Sequence, residues 1–132
     1  MTETMATSYA FLLIGQNTET RWPLVLQRAL SPLGKLHIVP EEEAVQATIR
    51  GHYDVIIIDA GAVRDPALLA SHLRAQRPRT RIVIATASPT WQRARKALQA
   101  GAADYIRKSL DEKELYSKVQ VVLNVPPPPW PR

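Results

Sequence analysis

The sequence predicts a doubly wound α/β domain in which helices cover both faces of five parallel strands, arranged in the order 2-1-3-4-5. Two observations lead to this fold class. Short apolar runs alternate strictly with segments of helical spacing, which is typical of a parallel sheet with helical crossovers. The runs "YAFLLI" and "VIII" are also nearly continuous, as expected of strands that are buried on both faces.

The first half of the chain is predicted to contain three strands and two helices. After the strand that begins at Tyr9, apolar residues recur at helical spacing up to Leu33, and Gly34 is placed to end this helix. The segment "KLHIV" is a short second strand. A helix follows over residues 40–51, because Pro and three Glu open it and Gly closes it. The β-branched run that leads into Asp59 is the third strand.

The second half repeats this alternation. Asp65 is an N-cap before a Pro, which starts a helix that continues to about Gln76, and "RIVIATA" follows as the fourth strand. Ser88 repeats the cap-before-Pro signal for a fourth helix, which Gly101 ends. The inward face of that helix is predicted to consist of Ala94, Ala97 and Leu98. "ADYIRK" is the fifth strand, and the "SLDE" that begins at Ser109 fits a capping box for the last helix.

These elements predict one domain over residues 8–124 and a Pro-rich tail over residues 125–132. The tail "VPPPPWPR" cannot continue a helix, and we interpret it as an extended linker or frayed end. No apolar run approaches the ~20 residues of a membrane span. The first apolar run follows no Lys or Arg, so we expect no signal peptide and a cytoplasmic protein.

Composition narrows the function classes further. The chain has no cysteine, which excludes a disulfide scaffold and thiolate-bound zinc. Its net charge of +5 is carried mainly by arginine, concentrated at Arg74–Arg81 and Arg93–Lys96. Such clusters leave open a nucleic-acid or other anionic partner, although no aromatic residues interleave with them as single-strand binders require. A solvated basic surface is the simpler interpretation, and we expect no direct nucleic-acid binding.

Three polar residues lie where consecutive strands end: Asp59, Thr86 and Lys108. In a doubly wound sheet the working site lies outside the carboxyl ends of the strands, so these side chains are expected to meet. With these residues the chain resembles the receiver domain of response regulators, from Tyr9 to Leu123. "YDVIIIDAG" resembles the phosphoacceptor strand of that family, "IVIATA" its Thr/Ser strand, and "ALQAGAADYIRKSLDEKEL" its fifth strand and last helix.

The resemblance implies a flavodoxin-like fold and a signalling role in a two-component phosphorelay rather than an enzyme. It implies that Asp59 is the phosphoacceptor, that Thr86 donates its hydroxyl to the phosphoryl group, and that Lys108 pairs with that group. Tyr105 occupies the position of the switch aromatic. A phosphoryl group brings close to two negative charges and three acceptor oxygens, which such neighbours can bind. The implied partners are a histidine kinase or an output domain, and a homodimer through the fourth helix, fifth strand and fifth helix is an option.

The chain departs from the family pattern around the expected magnesium site. Family members end the first strand with two acids, whereas this chain has Gly15 and Gln16 there. The family's carbonyl ligand corresponds to Gly61, so Asp59 and Gly61 are the only metal ligands to expect, and the nearest further acid is Glu19. We therefore expect no cofactor, with Mg²⁺ bound poorly if at all. Asp59 should instead form a permanent pair with the amine of the strand-end lysine.

A second departure follows Lys108, where the family usually has Pro after a cis bond and this chain has Ser109. A cis bond before a non-Pro residue costs about 3 kcal/mol, so we predict a trans bond. Trp91, at the start of the fourth helix, either contacts a partner or lies over its own helix. The sequence thus favours an atypical receiver that acts by protein–protein interaction. The alternatives are a functional receiver phosphorylated at Asp59 by a cognate histidine kinase, or an anion binder that uses the Arg-rich helices.

Overall fold

The computed structural model of the protein describes residues 8–16 and 21–124, so the predicted tail lies outside the described residues. The strands are β1 (Tyr9–Ile14), β2 (Gly34–Val39), β3 (Val55–Asp59), β4 (Arg81–Thr86) and β5 (Asp104–Arg107). The helices are α1 (Arg21–Leu30), α2 (Ala44–Arg50), α3 (Pro66–Gln76), α4 (Trp91–Gln99) and α5 (Glu112–Asn124). All strand pairs are parallel and the order is β2-β1-β3-β4-β5, which confirms the predicted fold class.

The sheet has a separate apolar core on each face. Successive side chains of a strand point to opposite faces, so Phe11 and Leu13 pack with α1 and α5, while Leu12 and Ile14 pack with α2, α3 and α4. Every residue of β3 is buried. This two-sided burial explains the continuous apolar runs of the sequence, and it fixes the end of β3, with Asp59, at the carboxyl edge of the sheet.

The role predicted for Gly34 is wrong. The helix ends earlier, at Leu30, and Gly34 is the first residue of β2, where it pairs with Tyr9. A Cβ on Gly34 would lie 1.8 Å from the carbonyl oxygen of Tyr9. Glycine is therefore required by the close approach of two strands and not by the end of a helix.

The fourth helix starts at a different cap from the one predicted. The N-cap of α4 is Thr90, whose hydroxyl accepts a hydrogen bond from the N–H of Arg93 at 3.2 Å. Ser88 lies two residues before this cap, and its N–H donates to the hydroxyl of Thr86 at 3.1 Å. Leu98 was expected to face inward but is 53% exposed, since the helix turns its Ala97 side to the sheet.

The last helix also starts later than its predicted capping box. The hydroxyl of Ser109 accepts the N–H of Asp111 at 3.0 Å, and Asp111 in turn accepts the N–H of Lys113 at 3.0 Å. Ser109 thus forms a turn before α5 and does not cap it. The predicted helix over residues 40–51 begins as a short 3₁₀ turn at Glu41–Glu43 before α2. In the part of the chain that the structure describes, no helix is long and apolar enough to cross a membrane.

Candidate functional site

The polar residues predicted to meet at the carboxyl edge do come together there. Asp59 is the last residue of β3 and Thr86 the last residue of β4, and both are buried. Lys108 follows β5, and its N–H continues the sheet by donating to the carbonyl of Thr86 at 2.8 Å. Parallel strands end at the same edge, so three positions far apart in sequence form one site.

Asp59 and Lys108 form the ion pair that the sequence predicts. The Nζ atom of Lys108 lies 3.0 Å from Oδ1 and 3.1 Å from Oδ2 of Asp59. Both side chains are well covered, with exposures of 21% for Lys108 and 11% for Asp59. Oδ1 also accepts the N–H of Gly61 at 3.0 Å. Charged hydrogen bonds of this length are stronger than neutral ones, and little solvent screens them here.

Trp22 on α1 bounds this pair on one side. The Nζ atom of Lys108 lies 5.3 Å from the centre of the Trp22 ring, within the range of a cation–π contact. Trp22 itself is buried in the core beneath α1. The ammonium group is therefore positioned between a carboxylate and an aromatic face.

The peptide between Lys108 and Ser109 is trans, as predicted, and no cis bond occurs among residues 8–16 and 21–124. Tyr105, the predicted switch residue, is half-buried in β5, and its hydroxyl is buried without a hydrogen-bond partner. The hydroxyl of Thr86 accepts a backbone N–H and keeps its own proton for a further acceptor. Two hydroxyls near the ion pair thus retain unused hydrogen-bonding capacity.

Gly15 occupies the side of Asp59 where the family has an acid. A Cβ on Gly15 would lie 3.2 Å from the Cβ and 3.6 Å from Oδ2 of Asp59, so a side chain at this position would face the carboxylate directly. In this chain it contributes no charge. Gln16, the second substituted position, is exposed.

The residues present do not fit a magnesium site. Mg²⁺ is bound by carboxylates and other oxygens in octahedral geometry. Over residues 8–16 and 21–124, no group of three or more His, Cys, Asp or Glu side chains could hold a metal ion. Asp59, the carboxylate that the described residues bring to this site, already has both oxygens bound to an ammonium group. Glu19, the nearest acid in sequence, lies outside the described residues.

Sequence reasoning missed a cavity of about 580 Å³ that opens beside Thr86 and Lys108, between the starts of α3 and α4. Its lining includes Arg93 and Lys96, which the sequence assigned only to a general basic surface, and Arg64, which the sequence did not single out. The spacing of three between Arg93 and Lys96 indicates a shared helix face. Which way that face points depends on how α4 packs, which no local signal determines.

The remaining candidates lie away from this edge. Trp91 is 73% exposed at the start of α4. In the Arg-rich segment, Arg77 donates through its guanidinium to the carbonyls of Thr48 and Ile49 at the end of α2. Arg74 covers Gly101, where a Cβ would lie 2.6 Å from its side chain. Part of the basic cluster therefore has a structural role.

Known proteins match this chain in sequence and in fold. A family model described as the response regulator receiver domain matches residues 37–120. The two-component response regulator PhoP of Pseudomonas aeruginosa is 36% identical over 87 residues, which cover 64% of this chain and 39% of that protein. The chain thus spans about two fifths of the length of this relative.

Two solved structures illustrate the likeness in fold. The orphan response regulator HP1043 of H. pylori superimposes with a TM-score of 0.78 at 18% identity, over 89% of this chain and 98% of that one. A response regulator from Thermotoga maritima gives a TM-score of 0.76 at 21% identity, over 89% and 99%. At these identities the comparison establishes a shared fold.

Proposed function

The chain belongs to the response-regulator receiver domain family, and on this basis we propose that it is an atypical receiver that signals through protein contacts rather than through magnesium-dependent phosphorylation of Asp59. It is a signalling module of the two-component type and not an enzyme in the usual sense. Its partners would be a histidine kinase, an output domain or a second copy of the chain.

One observation carries this proposal: both oxygens of Asp59 are bound by the ammonium of Lys108, at 3.0 and 3.1 Å. An incoming phosphoryl group needs a free carboxylate oxygen as nucleophile and nearby positive charge to offset its own. Here the nucleophile and the nearby cation neutralise each other. Within residues 8–16 and 21–124, where Gly15 and Gln16 stand in place of acids, no group of acidic side chains could hold a metal ion and supply the missing charge.

The contact surface that we favour lies on α4, β5 and α5. Trp91, Leu98 and Leu110 are exposed by 73%, 53% and 51%, so each offers apolar surface to a partner. Tryptophan contributes strongly to protein interfaces when it becomes buried. We expect Trp91 to lie near the centre of the contact.

The proposal is tested by incubation with a small phosphodonor, acetyl phosphate, with and without Mg²⁺, followed by intact mass measurement. We expect little or no phosphorylated protein in either condition, while a receiver that retains its acidic pair is labelled in parallel. Asp59→Ala is the matched control for labelling elsewhere on the chain. Strong magnesium-dependent labelling that is lost in Asp59→Ala would overturn the proposal.

That same outcome would support the second candidate, a functional phospho-receiver with a cognate histidine kinase. It is favoured by the meeting of Asp59, Thr86 and Lys108 at one edge. For a nucleic-acid binder, we find less support, because Arg77 already caps the end of α2 and Arg74 packs over Gly101. Binding to DNA that weakens steeply with salt would favour that third candidate.

A further inference from the structure

The cavity beside Lys108 has the size and lining of a small-molecule site. Its volume of about 580 Å³ falls within the range of roughly 300–1,000 Å³ that such sites occupy. Small side chains create the space, including Ala60, Gly61, Ala67 and Ala97. Lys108 lines it, while its partner Asp59 is not among the lining residues.

The charge of the lining is strongly positive. Four basic side chains line the cavity, Arg64, Arg93, Lys96 and Lys108, against one acid, Asp65. Asp65 is engaged as the N-cap of α3, where its carboxylate accepts the N–H of Leu68 at 3.0 Å. Within the described part of the chain, the side chains of Arg64 and Lys96 form no ion pair. The cavity therefore presents cations that the protein itself does not neutralise.

Two side chains that carry hydroxyl groups also line this cavity. Thr86 lines the cavity and is 6% exposed. Its hydroxyl oxygen accepts the N–H of Ser88, which leaves the hydroxyl proton available for another acceptor. Tyr105 also lines the cavity, and its buried hydroxyl has no hydrogen-bond partner. A buried polar group without a partner costs free energy, so an acceptor oxygen from a ligand would satisfy both hydroxyls.

We propose that this cavity binds a small organic phosphate non-covalently, and that the bound anion draws the ammonium of Lys108 away from Asp59. The phosphate lies against Lys108 and Thr86, and the organic part lies against Ala67 and Ala97. Arg93 and Lys96 add charge at the mouth of the cavity. This inference deepens the proposed function and rests on it, because it gives the receiver an input that requires neither phosphoryl transfer nor a metal.

The ion pair couples binding of the phosphate to separation of Lys108 from Asp59. Lys108 has three N–H donors, and two of its contacts are to the oxygens of Asp59. A phosphate in the cavity competes with that carboxylate for the same cation. A ligand that takes over the N–H donors now bound to Asp59 separates the pair, and this coupling transmits occupancy to the edge of the sheet.

The test is isothermal titration calorimetry with AMP and with glucose phosphate, in buffer that contains EDTA and no phosphodonor. Adenosine and inorganic phosphate serve as reference ligands, and we expect at least one phosphorylated probe to bind more tightly than either. Arg93→Gln and Lys96→Gln should each weaken that binding by about tenfold, since each removes a charged contact. Arg95→Gln is the matched control, because Arg95 lies on the same exposed helix but outside the cavity.

Two further variants test the site and its coupling. Ala67→Leu fills the cavity from a half-buried position on α3 and should abolish binding without unfolding the domain. Asp59→Asn releases Lys108 and should strengthen binding by roughly three- to tenfold. In NMR spectra, the indole N–H signal of Trp22 should shift on binding because Lys108 leaves its ring, while that of Trp91 should not.

Absence of binding by both phosphorylated probes would overturn the inference, and so would equal losses in Arg95→Gln and Arg93→Gln. Binding of a phosphopeptide but of neither small probe would also overturn it, in favour of a protein ligand. An unchanged affinity in Asp59→Asn would refute the coupling to Lys108. Because the titration contains no phosphodonor and no Mg²⁺, its outcome is independent of the labelling experiment that tests the proposed function.

Discussion

The Asp59–Lys108 pair should be the most strongly coupled pair of side chains at the edge of the sheet. At 3.0 Å and an effective dielectric constant of about 20, the attraction between the two charges is about 5.5 kcal/mol. Much of this is offset by the cost of removing both charges from water. Removal of one partner leaves the other buried and unpaired, although Asp59 keeps one hydrogen bond from Gly61.

We therefore expect Lys108→Met to lower the free energy of unfolding by about 2–3 kcal/mol. Methionine retains apolar contact with the ring of Trp22, so the loss reports mainly on the charge. Asp59→Asn should cost less, about 1–2 kcal/mol, because the amide still accepts and donates hydrogen bonds. The assay is urea denaturation of both single variants and of the double variant, with Lys113→Met as an exposed control expected to change stability by less than about 0.5 kcal/mol.

The double-mutant cycle shows whether Asp59 and Lys108 are energetically coupled. If the pair is strong, the double variant should lose less free energy of unfolding than the two single variants lose together. We expect this difference to be about 1.5 kcal/mol. Losses that add to within about 0.3–0.5 kcal/mol would show that the two side chains are not coupled. That result would refute the claim that Lys108 holds Asp59 in a permanent pair, and with it the basis of the proposed function.

Three further predictions concern the missing acidic pair, the glycine at the start of β2 and an arginine that contacts the end of α2. Introduction of the double substitution Gly15→Asp and Gln16→Asp should lower the melting temperature in EDTA, because it crowds like charges, and Mg²⁺ should then raise it by several degrees. The wild-type melting temperature should not respond to Mg²⁺, and a response there would contradict our view of the site. Gly34→Ala should cost at least about 3 kcal/mol or prevent folding, since a Cβ at that position would lie 1.8 Å from a backbone oxygen of β1; a loss below about 1 kcal/mol in urea denaturation would contradict this. Arg77→Ala should lower the free energy of unfolding by about 1–2 kcal/mol through the loss of its bonds to the end of α2, while exposed Arg79→Ala should have little effect; equal values for the two would refute a capping role.

Particular residues show why the fold was predictable and some helix ends were not. The burial of β3 on both faces requires a run of apolar residues, so the run identifies a strand that is covered on both sides of a parallel sheet. The cap of α4 was misplaced because Ser88 and Thr90 carry equivalent local signals. Only the folded backbone selects Thr90, whose hydroxyl accepts the N–H of Arg93. Gly34 was misinterpreted for a similar reason, because its requirement comes from Tyr9 on a neighbouring strand.

The sequence by itself determined the order of strands and helices, the residues that end β3 and β4, and the absence of an acidic pair at Gly15 and Gln16. These features depend on periodicity and on residue identity, which are local and can be read along the chain. Tertiary structure alone decided that Lys108 binds both oxygens of Asp59, 49 positions away, and that α4 turns Arg93 and Lys96 toward a cavity. The rotation of a helix about its axis is set by how its small residues pack against the sheet. That packing is a property of surfaces brought together by folding, and no short segment contains it.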